Sequence, residues 1–267
     1  IVINDGSTDR TCEIVENYTD PRISYFYQEN QDAFNTINRG LSLVKGQFVA
    51  ILNSDDVYTT DRFEKILEFQ RINNSQCVIT DVIPISDGGQ EFVDPEFGWN
   101  QWHLKNRSYF KEVGDIYAAF LKGNFMVTTS NLFMTAEAAS AVGKFCSLRY
   151  LHDYDYIFRL MLQFPEGVHY MYDDRLVYYR IHDGNTLGEA AILGREQDQT
   201  LIAKYFKAKL PKELQLYAAA GGERLIELGN ELHEVRSILQ PEQAIGVIPA
   251  AQKLLYSLKV WVGKKLK

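Results

Sequence analysis

Two adjacent carboxylates, Asp55 and Asp56, follow four apolar residues, Val49-Ala50-Ile51-Leu52, with Asn53-Ser54 between. Such a run suits a strand covered on both faces. Neighbouring acids repel unless a proton or a cation lies between them. In an α/β sheet the carboxyl end of a strand is also where ligands bind. The chemistry this suggests is a divalent cation on oxygen ligands, one or two carboxylates being completed by substrate phosphates. The simpler alternative is a pair of exposed acids flanking the next helix.

Three more clusters carry reactive groups. Asp5-Gly6-Ser7-Thr8-Asp9 reads as a polar turn whose side chains cap the following helix. A calcium loop through Asp5, Ser7, Asp9 and Glu16 fails because Arg10 stands where that loop needs glycine. A third reading sets Asp5 at a strand end, its carboxylate accepting hydrogen bonds from a nucleobase or sugar. Asp153, between His152 and Tyr154, opens an amphipathic helix. It is either an N-cap or, facing a pocket, a general base for an attacking hydroxyl. His182, in a polar loop, is either an ordinary surface histidine or a metal or phosphate contact.

The elements that would position these groups alternate. Ile1–Ile3 is a strand, 10–18 a helix ended by Asp20-Pro21, and 23–27 a second strand. A helix follows over 33–44, with Phe34, Ile37, Leu41 and Val44 on one face, then a strand over 47–52. Asp61 and Glu64 have capping-box spacing before a helix, and Cys77–Thr80 restarts a strand. This order predicts an α/β fold with a doubly wound, mostly parallel sheet flanked by helices. Residues 84–107, with Pro84, Asp87-Gly88-Gly89, Pro95, Trp99 and Trp102, read as a long irregular loop or hairpin. The tryptophans there are acceptor-sugar contacts or core. A helix near 108–121, a cap at Thr135, a helix to Gln163 and Tyr-rich strands over 168–179 follow. From Glu189 the chain is helical and charged, cut at Pro211, Pro241 and Pro249.

Composition bounds the function. A chain of 267 residues with 46% hydrophobic residues buries a sizeable core, and a net charge of −7 argues against a nucleic-acid binder. Three dispersed cysteines, Cys12, Cys77 and Cys146, fit neither a disulfide framework nor a zinc site and point to a reducing compartment. No apolar run reaches the roughly 18 residues a membrane span needs.

Taken together, Asn4-Asp5-Gly6-Ser7-Thr8-Asp9, Glu29-Asn30, Asn38-Arg39-Gly40 and Lys45 through Asp56 resemble the nucleotide-binding half of family 2 glycosyltransferases of GT-A fold. Looser matches are Val142-Gly143-Lys144-Phe145, His152-Asp153-Tyr154-Asp155 and Tyr179 through Asn185. The resemblance covers about residues 1–187, with a donor half over 1–83 and an acceptor half over 84–187, and leaves 188–267 as a helical C-terminal extension. It implies metal-dependent, inverting transfer of a sugar from a nucleotide-diphosphate donor to a hydroxyl of a carbohydrate or lipid-linked acceptor, in polysaccharide or glycoconjugate synthesis. It implies Mn2+ or Mg2+ as cofactor. By the same resemblance Asp5 contacts the nucleobase, Asn30 belongs to the nucleotide-sugar contacts and Asp55 meets the ribose or donor sugar. Asp56 ligates the metal, His182 approaches the metal and phosphates, and Asp153 is the catalytic base.

Three positions depart from the pattern. Asn4 and Asn53 stand where acids are usual, and His152 stands where a Glu often precedes the base. The chain also opens without methionine or a signal-like segment, inside a strand. The family's first strand is missing from it, and a sheet lacking a central strand is expected to fold poorly, which points to an upstream segment. These departures leave room for an alternative, a non-catalytic nucleotide-sugar-binding GT-A module. The last residues, 250–267, interleave five lysines with Leu254, Leu255, Leu258, Trp261 and Val262. They are expected to pack as an appendage, to join two copies into a homo-oligomer, or to touch a membrane surface. The last would place a cytoplasmic enzyme at the inner face of the membrane.

Overall fold

The computed structural model describes residues 1–182 and 193–239. Contacts divide the chain into two compact units, 1–202 and 203–267. In the first unit, β1 (Val2–Asp5) pairs in parallel with β2 (Tyr25–Gln28), the two being joined through α1 (Thr11–Glu16). Asp9 starts α1 from outside, its Oδ1 accepting from the Thr11 backbone N–H at 3.0 Å and its hydroxyl at 2.6 Å. Helix α2 (Ala33–Ser42) follows β2, and its Gly40 approaches the side chain of Ile3.

A second, five-stranded sheet runs in the order β3-β6-β5-β7-β4. Its strands are β3 (Phe48–Ala50), β4 (Val57–Tyr58), β5 (Cys77–Ile85), β6 (Phe133–Thr135) and β7 (Val168–Arg180). The α/β class with flanking helices is as expected, and the pairing is mixed. β5 and β7 form the long parallel ladder, while β3, β4 and β6 attach antiparallel. The alternation in the sequence does not reveal this, because β4 and β6 are only two and three residues long.

Three local expectations are corrected. β3 is an edge strand among the described residues, and of Val49-Ala50-Ile51-Leu52 only Val49 is buried, with Leu52 50% exposed. Two-sided burial of that apolar run is not observed. Asp61 precedes α3 (Arg62–Asn73) without capping it and pairs with Lys65 at 2.9 Å instead. The stretch after Pro84 is a short turn closed by an Ile85–Glu91 bridge, and α4 (Gly98–Val113) then takes both tryptophans out of the expected loop.

Asp81 fastens α4 to the sheet where the β5–β7 register shifts. Its Oδ1 lies 2.6 Å from His103 Nε2 and its Oδ2 2.9 Å from Arg107 Nη1, with Asp81 and His103 both buried. Trp99 stacks on His103 and on Tyr179, and so belongs to the core cluster of Val82 and Val177.

Gly114 ends α4 in the left-handed region, and Asp115 caps α5 (Ile116–Lys122) by accepting from Ala118 N at 2.9 Å. Thr135 caps α6 (Ala136–Val142) in the same way, as its spacing predicts. Helix α7 (His152–Gln163) buries nearly its whole length, with Tyr154, Tyr156, Ile157, Phe158 and Leu160 enclosed. Each such side chain contributes roughly 1.5–3 kcal/mol of burial, which makes α7 a rigid support. Helix α8 (Leu193–Ala208) and helix α9 (Lys212–Leu239) flank Pro211. No described helix is long and apolar enough to cross a membrane. Residues 183–192, 250–267 and the prolines at 241 and 249 lie outside the described residues.

Candidate active site

The donor-side acids are set by strand ends. β1 and β2 finish level, Asp5 opposite Gln28. The Gln28 amide therefore donates to Asp5 Oδ1 at 2.6 Å and to Thr36 Oγ1 at 2.9 Å, and the Gln31 backbone N–H gives Asp5 Oδ1 a second bond at 3.0 Å. Asp5 Oδ1 is occupied by protein donors. The Asn30 amide donates to the Asp5 carbonyl at 3.2 Å, so it closes the turn around Asp5. Gly6 makes this closeness possible. Its φ is +79° and a Cβ there would lie 2.9 Å from the Asn30 nitrogen. Asn4 is buried and works locally, accepting from Ser7 N at 2.8 Å and donating to the Tyr25 hydroxyl at 2.9 Å.

Asp55 and Asp56 follow β3 and have different surroundings. Asp55 is part-exposed, and its Oδ2 sits 3.3 Å from His182 Nε2. Asp56 is 6% exposed. Its Oδ2 accepts from the Thr128 hydroxyl at 2.8 Å and the Ser130 hydroxyl at 2.7 Å, and its Oδ1 from Arg180 N at 3.2 Å. Burial raises its proton affinity, the two hydroxyls oppose this, and the nearby Asp55 charge adds to it.

Arg180, the last residue of β7, ties the region together. Its Nε donates to the Asp55 carbonyl at 2.9 Å, and its Nη1 to the Ser86 and Asp87 carbonyls at 2.9 and 2.7 Å.

Asp153 lies on the first turn of α7, where Leu151 rather than Asp153 occupies the N-cap position. Its side chain is 7% exposed and accepts from Tyr154 N at 2.7 Å. Burial raises its proton affinity well above the ordinary carboxylate range, with the neighbouring His152 opposing. The 3₁₀ turn Thr129–Asn131 connects the two sides. The Thr128 and Ser130 hydroxyls reach Asp56, while the Thr129 hydroxyl lies 3.4 Å from His152 Nε2.

The structure thus brings Asp55, Asp56 and His182 into one group and Asp5 and Asn30 into another. His152, the residue before Asp153, is linked to the first group through a single turn. Sequence reasoning does not single out Arg180, Thr128 or Ser130. The one available signal is the polar run Thr128-Thr129-Ser130-Asn131 between Met126 and Leu132. Among the described residues no three Asp, Glu, His or Cys side chains converge as a cation cage. By residue type alone, the two carboxylates and the imidazole of Asp55, Asp56 and His182 are ligands that a divalent cation shared with a phosphorylated ligand would take.

Residues 1–130 match the model of the family described as Glycosyl transferase family 2. A glycosyltransferase of Rickettsia typhi, otherwise uncharacterised, is 29% identical over 80% of this chain and 63% of its own length. Glycosyltransferase GlyA of Streptococcus pneumoniae is 30% identical over 52% of this chain and 18% of its own. The chain therefore spans less than two thirds of these relatives. Among solved structures, S. aureus TarS 1-349 in complex with UDP-GlcNAc superposes with a TM-score of 0.57 at 18% identity, over 80% of this chain and 59% of that one. The mannosyltransferase PcManGT of Pyrobaculum calidifontis, in complex with GDP-Man and Mn2+, gives 0.53 at 14% identity over 98% and 70%. The fold is of GT-A type, and over residues 1–130 the chain is similar to glycosyl transferase family 2.

Proposed function

We propose that this chain is a metal-dependent, inverting glycosyltransferase that moves a sugar from a nucleotide-diphosphate donor to a hydroxyl of a carbohydrate or lipid-linked acceptor, in polysaccharide or glycoconjugate synthesis. The observation that carries the reading is the turn at 128–130, which holds the buried Asp56 on one side and reaches His152, beside the buried Asp153, on the other. UDP-GlcNAc and GDP-Man in two structural neighbours, and Mn2+ in one, support the substrate class and the cofactor.

In this reading Asp5, framed by Gln28 and Asn30, offers its remaining oxygen to the nucleobase, and the part-exposed Asp55 meets the ribose or the donor sugar. Asp56 and His182 would hold Mn2+ or Mg2+, which when bound neutralises charge on the departing diphosphate. Asp153 takes the proton from the acceptor hydroxyl. The acceptor oxygen bonds the anomeric carbon as the bond to the diphosphate breaks, and the electron pair leaves with the diphosphate. A buried carboxylate is a stronger base than an exposed one, so the raised proton affinity of Asp153 suits this step.

The test is a panel of UDP- and GDP-sugars with Mn2+ or Mg2+, read by melting temperature and by nucleotide release. A donor that both raises the melting temperature and is turned over supports the reading, and Asp56→Ala should lose both effects. Binding without turnover for every donor and acceptor would favour a non-catalytic nucleotide-sugar module instead.

A further inference from the structure

Asn53 stands where the family pattern has an acid, and its bonding gives it a different task. Its backbone N–H donates to Ser130 Oγ at 2.9 Å and its side-chain Nδ2 to Thr128 Oγ1 at 3.1 Å. Thr128 Oγ1 also accepts from Ser130 N at 3.2 Å. Both hydroxyls then donate to the same oxygen, Asp56 Oδ2. Covalent structure fixes the direction of these bonds. The backbone N–H groups of Asn53 and Ser130 can only donate, so the Ser130 and Thr128 hydroxyls accept from them and have their protons free for Asp56. An ionised Asp at position 53 would offer no side-chain donor to Thr128, and the Thr128 proton would have two carboxylates to serve.

The turn that carries the hydroxyls is held in a rare conformation. Thr128 N donates to the Met126 carbonyl at 2.9 Å across Val127, whose φ is +74°, a γ-turn at a β-branched residue. Val127 packs against the Val82, Val177 and Tyr179 cluster, which opposes its relaxation. Below, the Asn131 side chain bonds Thr80 N, Thr80 O and Met126 O. A strained turn whose hydroxyl protons both end on one buried carboxylate is built to aim that carboxylate.

We infer that Asn53, Thr128 and Ser130 are positioning residues that present Asp56 to the cation, Asn53 orienting the two hydroxyls and the hydroxyls orienting the acid. The inference rests on the proposed metal role of Asp56. Its test titrates the full chain with Mn2+ in the presence of UDP or GDP, counting free Mn2+ by electron paramagnetic resonance, with melting temperature alongside. The double variant Thr128→Val, Ser130→Ala should bind Mn2+ about 10–100-fold more weakly. Thr128→Ser, which keeps a hydroxyl, should bind as the wild type does. If Asp56→Ala loses Mn2+ while the double variant keeps wild-type affinity, the positioning role is overturned and the metal site stands. Equal loss in Thr128→Ser and Thr128→Val would also overturn it, because shape rather than the hydroxyl would then matter. If Asp56→Ala binds Mn2+ as tightly as wild type, the metal reading falls and this inference with it.

Discussion

Arg62→Met and Arg62→Ala should differ by several degrees in melting temperature. Arg62 is fully buried on α3, with Nη1 bonded to Thr80 Oγ1 and Nη2 to the Asn131 carbonyl, both at 3.0 Å. Its guanidinium lies over the Tyr58 ring at 4.5 Å, and its Nε has no partner among the described residues. Burial lowers its pKa from 12.5 to about 10, a penalty on the charged form of about 3 kcal/mol. Methionine keeps much of the stem and removes that penalty. It forfeits two bonds from a charged donor at about 1.5–3 kcal/mol each, so the net loss is roughly 0–3 kcal/mol. Alanine adds a cavity beside the buried Ile66, a further 2–5 kcal/mol or so. At about 2–4 °C per kcal/mol for a unit of this size, alanine should melt roughly 4–20 °C below methionine in scanning calorimetry. Coincident melting of the two would show that Arg62 is not enclosed as described. Both variants leave the Asn131 carbonyl unpaired beneath the Thr128–Ser130 turn, so both should slow transfer.

Other perturbations give separate signatures. Gly6→Ala places a Cβ 2.9 Å from the Asn30 nitrogen at φ +79°. It should destabilise the fold by about 1–3 kcal/mol and weaken UDP or GDP binding measured calorimetrically. Asp81→Ala leaves His103 and Arg107 without their shared carboxylate. A loss of about 3–5 kcal/mol should appear in denaturant unfolding. The folded-state pKa of Asp153 lies above its unfolded value. Its ionisation penalty is therefore absent below the unfolded pKa and complete above the folded one, and wild-type stability should fall as pH rises through that window. Melting temperatures across pH should lack this decline in Asp153→Asn. The acid limb of wild-type kcat/KM should lie above the ordinary carboxylate range for the same reason.

Much of the site is written in local chemistry. Asp5-Gly6 at a strand end, the paired acids after an apolar run and the Thr135 cap all follow from neighbours a few residues away. What sequence alone does not show depends on distant pairing. Val49-Ala50-Ile51-Leu52 looks two-sided, yet Ala50 and Leu52 are exposed, because the layers packed on a sheet, which the local sequence does not show, decide which face is covered. Trp99 reads as loop because Pro95 and Gly98 precede it, but His103 and Tyr179 stack against it from elements far apart in sequence. The bonds from Thr128 and Ser130 to Asp56 span more than 70 residues and leave no periodic trace.

The most direct measurement is release of nucleotide from a UDP- or GDP-sugar, with Mn2+ and a hydroxyl acceptor, by the wild type and by Asp153→Asn, with nucleotide affinity determined on the same samples. The wild type should turn over, and Asp153→Asn should do so about 10²–10⁴-fold more slowly at unchanged nucleotide affinity. Equal turnover by the two would contradict the assignment of proton transfer to the buried acid of α7.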